Sequence, residues 1–240
     1  MLDLAHLTPQ EVRELIRKND INQPTSGMCK GHIQANVVIV PKSLAYDFLL
    51  FAQRNPKSCP VLDVTDVGSA EPRLMAKGAD LRFDVPKYRI YQFGKLVDEV
   101  SDLRDYWRDD LVCFLLGCSF SFESALANAA IPIRHIEDNH NVPMYITNIE
   151  TEPAGQFHGK MVVSMRPIPY QLVTRAVQAT SRFPQVHGAP IHIGDPSLIG
   201  INDIHSPDFG EASIIKEGEI PVFWACGVTP QSIAMTSKPE

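Results

Sequence analysis

The apolar positions of this chain fall into short blocks, and two periodicities alternate along them. Thr8-Pro9-Gln10-Glu11 is a capping box with Pro at the first helical position, and Val12, Leu15 and Ile16 then share one face. That pattern predicts a short helix to about Lys18. Gln23–His32 is polar and reads as a loop. Ala35–Val40, mostly apolar and β-branched, predicts a strand. Past Pro41, Ser43 can cap a helix to about Arg54 with Leu44, Phe48 and Phe51 on one side. Val61–Val64 is a short strand ended by the turn Thr65–Gly68, and residues 69–88 carry no periodicity. Tyr88–Val97 predicts a hairpin turning near Gly94, and Asp102–Asp109 a helical turn.

Leu111–Leu116 is an unbroken apolar run, the mark of a strand buried on both faces. Gly117 ends it, and Cys118, Ser119, Ser121 and Glu123 follow before a predicted helix, Ser124–Ala130. Strand, Gly turn and helix N-terminus together form the place where open α/β sheets bind ligands, and free N–H groups there favour an anion. The alternation up to this point predicts a partly parallel sheet with helices on both faces. From Ile131 the texture changes. Met144–Ile149 and Met161–Met165 read as strands, Pro167 and Pro169 as interruptions, Tyr170–Ser181 as a helix and Ala189–Ile193 as a strand. This β-β-α-β unit fits a two-layer lobe. After the loop-rich Gly194–Gly210, the last strand, Val222–Ala225, is expected to return to the first sheet. The predicted fold class is α/β: a larger three-layer α/β/α domain (1–130 plus 195–240) with a smaller two-layer domain (131–194) inserted.

Composition narrows the function classes. A net charge of −6 without a basic block argues against nucleic acid as a partner. No apolar run reaches membrane-spanning length and the N-terminus reads as lacking a signal peptide, so no membrane partner is expected. Five cysteines without CxxC spacing fit reduced thiols in the cytoplasm better than a disulfide framework or a thiolate zinc site. Neither a Walker loop nor a GxGxxG after a strand is present, so no nucleotide cofactor is expected.

Three stretches could carry chemistry. In the first, Cys118, Ser119, Ser121 and Glu123 place a thiol, two hydroxyls and a carboxylate within six residues; packing and helix capping are the simpler alternative. In the second, His187–Asp208, the residues His187, His192, Asp195, Asp203, His205 and Asp208 fit acid–base work or metal ligation, against turn-setting Asp and exposed His. Their spacing matches no standard zinc motif. In the third, Arg166 ends a predicted strand, where its guanidinium could hold a substrate carboxylate or make a structural ion pair. Arg134-His135, after the central helix, forms no motif alone.

Taken together, GCSFSFE (Gly117–Glu123), VVSMRP (Val162–Pro167), HGAPIHIGDPSLIGI (His187–Ile201) and VFWACGVTPQ (Val222–Gln231) resemble the hydro-lyase family related to D-glutamate cyclase. NPKSCPVLDV (Asn55–Val64) and MYITNI (Met144–Ile149) fit the same family, so the resemblance runs along nearly the whole chain. It implies a two-lobed α/β fold, a larger three-layer sandwich with a smaller two-layer one, and carbon–oxygen lyase activity. The family relative called D-glutamate cyclase converts D-glutamate to 5-oxo-D-proline and water. One departure is mild: the family's Thr-Ala-Gly-Met reads Thr25-Ser26-Gly27-Met28 here.

The expected function is therefore a hydro-lyase acting on a small amino or hydroxy acid. Glu123 or Asp208 would serve as acid or base and His192 as the other. Cys118 would be a nucleophile or a lining residue, and Ser119, Ser121, Arg166, His187 and Asp195 would contact substrate. The expected partner is a small-molecule carboxylate, with self-association left open. A carboxylate-binding module without chemistry is the alternative from another class. A metal-assisted hydrolase using His187, His192 and Asp195 is a third reading.

Overall fold

Residues 3–239 are described by the structure, a computed structural model. Helix α1 (Pro9–Arg17) starts on the expected capping box: the Glu11 amide donates to Thr8 Oγ1 at 3.3 Å, and the Thr8 amide donates to Glu11 Oε2 at 2.8 Å. Strand β1 (Ala35–Pro41) runs directly into α2 (Lys42–Arg54), whose cap position is Pro41 rather than Ser43. Then come β2 (Val61–Val64), the hairpin β3 (Tyr88–Gln92) and β4 (Lys95–Val100), and β5 (Leu111–Gly117). A 3₁₀ turn, Ser119–Phe122, leads into α3 (Glu123–Asn128), and α4 (Arg134–Glu137) follows. The C-terminal half holds β6 (Met144–Glu150), β7 (Lys160–Pro169), α5 (Val173–Thr180), β8 (His192–Ile193), β9 (Glu219–Ala225) and α6 (Thr229–Ser237).

The chain is a mixed α/β protein whose sheets are antiparallel. The first sheet has the order β1-β5-β2, with both outer strands antiparallel to β5. The second has the order β6-β7-β9-β8, again antiparallel throughout. This corrects the partly parallel sheet that the alternation suggests. The turn after β5 is therefore not the carboxyl-edge crevice of a parallel sheet, and α3, with six residues, offers no long helix terminus. The strand around Val222–Ala225 is also corrected: it joins β7 and β8 in the second sheet, not β1 and β5.

All seven residues of β5 are buried, as its unbroken apolar run requires. Val112, Phe114 and Leu116 pack on Phe48, Phe51 and Ala52 of α2, while Cys113 and Leu115 face Leu81 on the other side. The second sheet divides by the same period-2 rule. Ile168, Val222 and Trp224 turn toward Phe122 and Leu126, whereas Met165, Phe223 and Tyr145 turn toward Ile199 and Ile201. Strand β7 continues through both Pro167 and Pro169, because pairing with β6 ends at Ser164 and the strand beyond has only β9 beside it. An edge without ladder bonds tolerates residues that lack an N–H.

The end of β5 is closed tightly by the loop before His187. A Cβ on Gly117 would lie 2.0 Å from the Gln185 carbonyl oxygen, which is backbone and cannot turn aside. Replacing Gly117 by Ala is expected to cost on the order of 3 kcal/mol and to lower the urea midpoint accordingly. An unchanged midpoint would show that this contact is not fixed.

Candidate functional site

The second sheet and the turn after β5 meet at one buried cluster. Period-2 alternation along β7 puts Ser164 and Arg166 on the face that meets the 3₁₀ turn and α3. The 3₁₀ turn brings Ser119 and Phe122 to the same place, and Glu123 opens α3 immediately after. Arg166 Nη2 donates to Glu123 Oε1 at 2.7 Å and to Ser119 Oγ at 3.2 Å, and Nη1 donates to Ser164 Oγ at 3.2 Å. The guanidinium lies between two rings, 5.3 Å from the Phe122 centroid and 5.6 Å from that of Trp224. Arg166 is 1% exposed and Glu123 3%. Arg166 Nε is buried without a partner among the described residues.

His135, from α4, completes the cluster. Its Nε2 is 2.9 Å from Glu123 Oε1, its ring stacks near Phe120, and it is 1% exposed. Ser26 Oγ, from the loop before β1, donates to Glu123 Oε2 at 2.8 Å and lies 3.3 Å from His135 Nε2. Burial alone would raise the pKa of Glu123. The hydrogen bond with His135 and the Arg166 charge outweigh it and hold the carboxyl below its usual range. Burial also dominates at His135, lowering its pKa; the bond to Glu123 opposes that and the Arg166 charge adds to it. Near neutral pH the pair is thus an ionised carboxylate beside a neutral imidazole. Only a proton on Nε2 can make their contact a hydrogen bond, so Nδ1 keeps its lone pair. Ser26 and Glu123 both contact the same ring nitrogen, which rules out a relay with hydroxyl and carboxylate on opposite nitrogens.

Of the residues singled out in the sequence, the structure brings Glu123, Arg166 and Ser119 together. Cys118 adjoins them, and burial pushes its thiol up to about 12 and that of Cys226 to about 11. Both thiols are therefore protonated at neutral pH. Ser121 is engaged elsewhere: its Oγ accepts from the Gln34 amide at 2.8 Å and donates to the Gln34 carbonyl at 3.2 Å. The other candidates are not in the cluster. His192 pairs with Phe223 across β8 and β9, on the face opposite Arg166, and its Nε2 meets the Asp195 carbonyl at 2.7 Å. Asp195 caps the next turn by accepting from the Ser197 amide, and Asp208 accepts from the Ile146 amide at 2.7 Å. His187 is buried with Nδ1 2.9 Å from the Lys57 carbonyl. Of the three residues of the metal-assisted reading, His192 and Asp195 meet only through the Asp195 backbone carbonyl, and His187 is buried while Asp195 is exposed. Among the described residues no group of three or more His, Cys, Asp or Glu is arranged to hold a metal ion.

The guanidinium expected to hold a substrate carboxylate thus holds the protein's own. His135 was visible in the sequence only as half of Arg134-His135. The clue that existed was its position just past a helix whose first residue is a buried acid, within reach of that acid once the chain turns back.

The chain is thus an α/β protein with antiparallel sheets and a buried carboxylate–histidine–arginine centre. The D-glutamate cyclase family model matches residues 112–240, from β5 onward. A protein of Psychrobacter arcticus named "Putative hydro-lyase" is 88% identical over 240 residues, covering 100% of this chain and 91% of that protein. Proteins with the same description from a Thermoanaerobacter species and from Clostridium beijerinckii are 67% and 62% identical, each over 239 residues, covering 100% of this chain and 90% and 91% of theirs. The chain belongs to the D-glutamate cyclase family, among relatives that carry a hydro-lyase description. A solved nitrogen repressor-like protein from Methanococcus jannaschii aligns over 98% of this chain and 90% of its own, with 8% identity and a TM-score of 0.41, too distant to bear on function. Among the described residues no helix is long and apolar enough to cross a membrane.

Two stability measurements check this geometry. Replacing Arg166 by Met leaves a buried carboxylate unpaired and is expected to cost about 3–5 kcal/mol. Adding Glu123→Gln to that variant should recover part of the loss, and a double variant weaker than Arg166→Met alone would contradict the pairing. His187, pushed down to about 4 by burial, is neutral in the fold where the unfolded chain would bind a proton below about 6.5. Its contribution is therefore complete above about pH 6.5 and fades as pH falls toward 4, by about 3 kcal/mol. Denaturation midpoints across that window should drop in the wild type and drop less in His187→Asn.

Proposed function

We propose that the protein is a hydro-lyase that removes water from a small amino or hydroxy acid, with His135 as the proton carrier. The observation that carries this reading is the pairing of a neutral imidazole with an ionised carboxylate at 2.9 Å, sealed in the fold beside a guanidinium. Dehydration takes protons from one part of a substrate and delivers them to a departing oxygen. A neutral imidazole with a free Nδ1 lone pair can accept such a proton, and Glu123 stabilises the imidazolium that forms. Arg166 keeps Glu123 ionised for that role, and Ser119 and Ser164 fix the guanidinium. The proton then passes to the leaving oxygen, which departs as water, and the imidazole is neutral again. The family supports testing D-glutamate first. Its closure to 5-oxo-D-proline moves two protons from the ammonium nitrogen to one carboxylate oxygen, forms the N–C bond and releases one water.

Turnover of D-glutamate and of small hydroxy acids, read by product formation, tests the assignment. His135→Gln is expected to lower kcat by about 100- to 10,000-fold, the usual contribution of a positioned base. Glu123→Gln should lower it comparably while the protein still folds, and His192→Ala, on the far face of the sheet, should leave it unchanged. A His135→Gln protein with wild-type turnover removes this residue from the mechanism.

A further inference from the structure

The proton-carrying scheme makes no use of Ser26, yet its hydroxyl sits between the two groups that matter most. Oγ gives its proton to Glu123 Oε2 at 2.8 Å and faces the protonated Nε2 of His135 at 3.3 Å. An oxygen in that place must donate to a carboxylate and accept from an imidazole N–H. Water and alcohols satisfy both demands; a carboxylate or carbonyl oxygen cannot donate, and an ammonium cannot accept.

Ser26 reaches the cluster from a separate part of the chain. Val12, Ile16, Ile21, Met28 and Cys29 form an apolar cluster of their own, with Leu4, Leu7 and Leu15 packed against it. The ties of this N-terminal segment to the rest of the chain include polar contacts. Arg13 and Arg17 meet the buried Asp84, Thr25 Oγ1 donates to Gln34 Oε1 at 2.6 Å, and Ser26 meets Glu123. Ser26 is half-buried and Gly27 beside it is exposed, whereas Glu123 and His135 lie sealed beneath. Of the three groups in mutual contact, Ser26 is thus the one least removed from solvent.

We propose that Ser26 holds the place of the substrate's leaving hydroxyl: the segment that carries it lifts, and a hydroxy acid seats its own hydroxyl between Glu123 and His135. The inference rests on the hydro-lyase reading and narrows it, because a hydroxy acid presents the donor–acceptor oxygen this position requires. A hydroxyl seated there is hydrogen-bonded to the Nε2 proton. As Nδ1 takes a proton from the neighbouring substrate carbon, the C–O bond breaks, the C=C bond forms, and the Nε2 proton leaves with the oxygen as water. Exchange with solvent then returns the ring from its Nδ1–H to its Nε2–H form.

The test uses glycolate and acetate, two acids that differ by one hydroxyl, titrated into the ¹⁵N-histidine-labelled protein while the His135 signals are followed. Ser26→Ala removes the placeholder, and glycolate is expected to bind that variant about tenfold more tightly than wild type, since no seryl hydroxyl must first be displaced. Acetate should show no such gain, and Ser26→Thr, which restores a hydroxyl, should behave as wild type. The proposal is overturned if glycolate leaves His135 unmoved in Ser26→Ala, or if acetate gains as much as glycolate. If glycolate seats as expected but no acid is turned over, the oxygen subsite stands and the hydro-lyase reading falls.

Discussion

The contact between Glu123 and Arg166 is the one on which the rest of the site depends. Two charges have been taken out of water almost completely, and in that setting desolvation offsets much of their attraction. Apolar side chains of the same volume would fill the space at no such penalty. What the pair provides is a state of charge. The hydrogen bond from His135 and the charge of the guanidinium together hold Glu123 as an anion, and an anion at that place fixes both the tautomer and the orientation of His135. The flanking rings of Phe122 and Trp224 keep the guanidinium dry while giving it favourable faces.

The fold is arranged so that this pair can form across distant parts of the chain. Arg166 lies on an internal strand of one sheet, and Glu123 follows the central strand of the other. Alternation along β7 and β9 decides which side chains face the cluster, and the face that carries Arg166 also carries Trp224. His192 falls on the other face by the same rule. One residue of register separates a group at the site from a group on the opposite surface.

That parity explains much of what could and could not be read from the sequence. The double-sided burial of β5 is written in Leu111–Leu116, and the capping box at Thr8–Glu11 is a purely local signal, so both are legible. Arg166 and Glu123 stand out as charges set in apolar or small-residue surroundings. Strand direction is not local: strands and helices in alternation fit parallel and antiparallel sheets equally well until the pairing is known. His135 carries no motif, because its chemistry comes from a partner 12 residues earlier in the chain. The density of His and Asp from His187 to Asp208 looks functional in one dimension, yet in space Asp195 and Asp208 satisfy backbone amides. Ser26 is the instructive case. In the sequence it is only a small residue within Thr25-Ser26-Gly27-Met28, and in space its hydroxyl lies against Glu123 and His135.

The chemistry of the site turns on where a single proton sits. Burial and the Arg166 charge keep the His135 imidazole neutral, and the buried anion of Glu123 holds its hydrogen on Nε2 and leaves Nδ1 bare. Nitrogen-15 NMR of the histidines in the wild-type protein, followed through a pH titration, measures both the tautomer and the titration point. An Nε2-protonated ring at neutral pH, gaining its second proton only below the usual histidine range, is the expected result. An imidazolium at neutral pH, or a neutral ring with its proton on Nδ1, would contradict it.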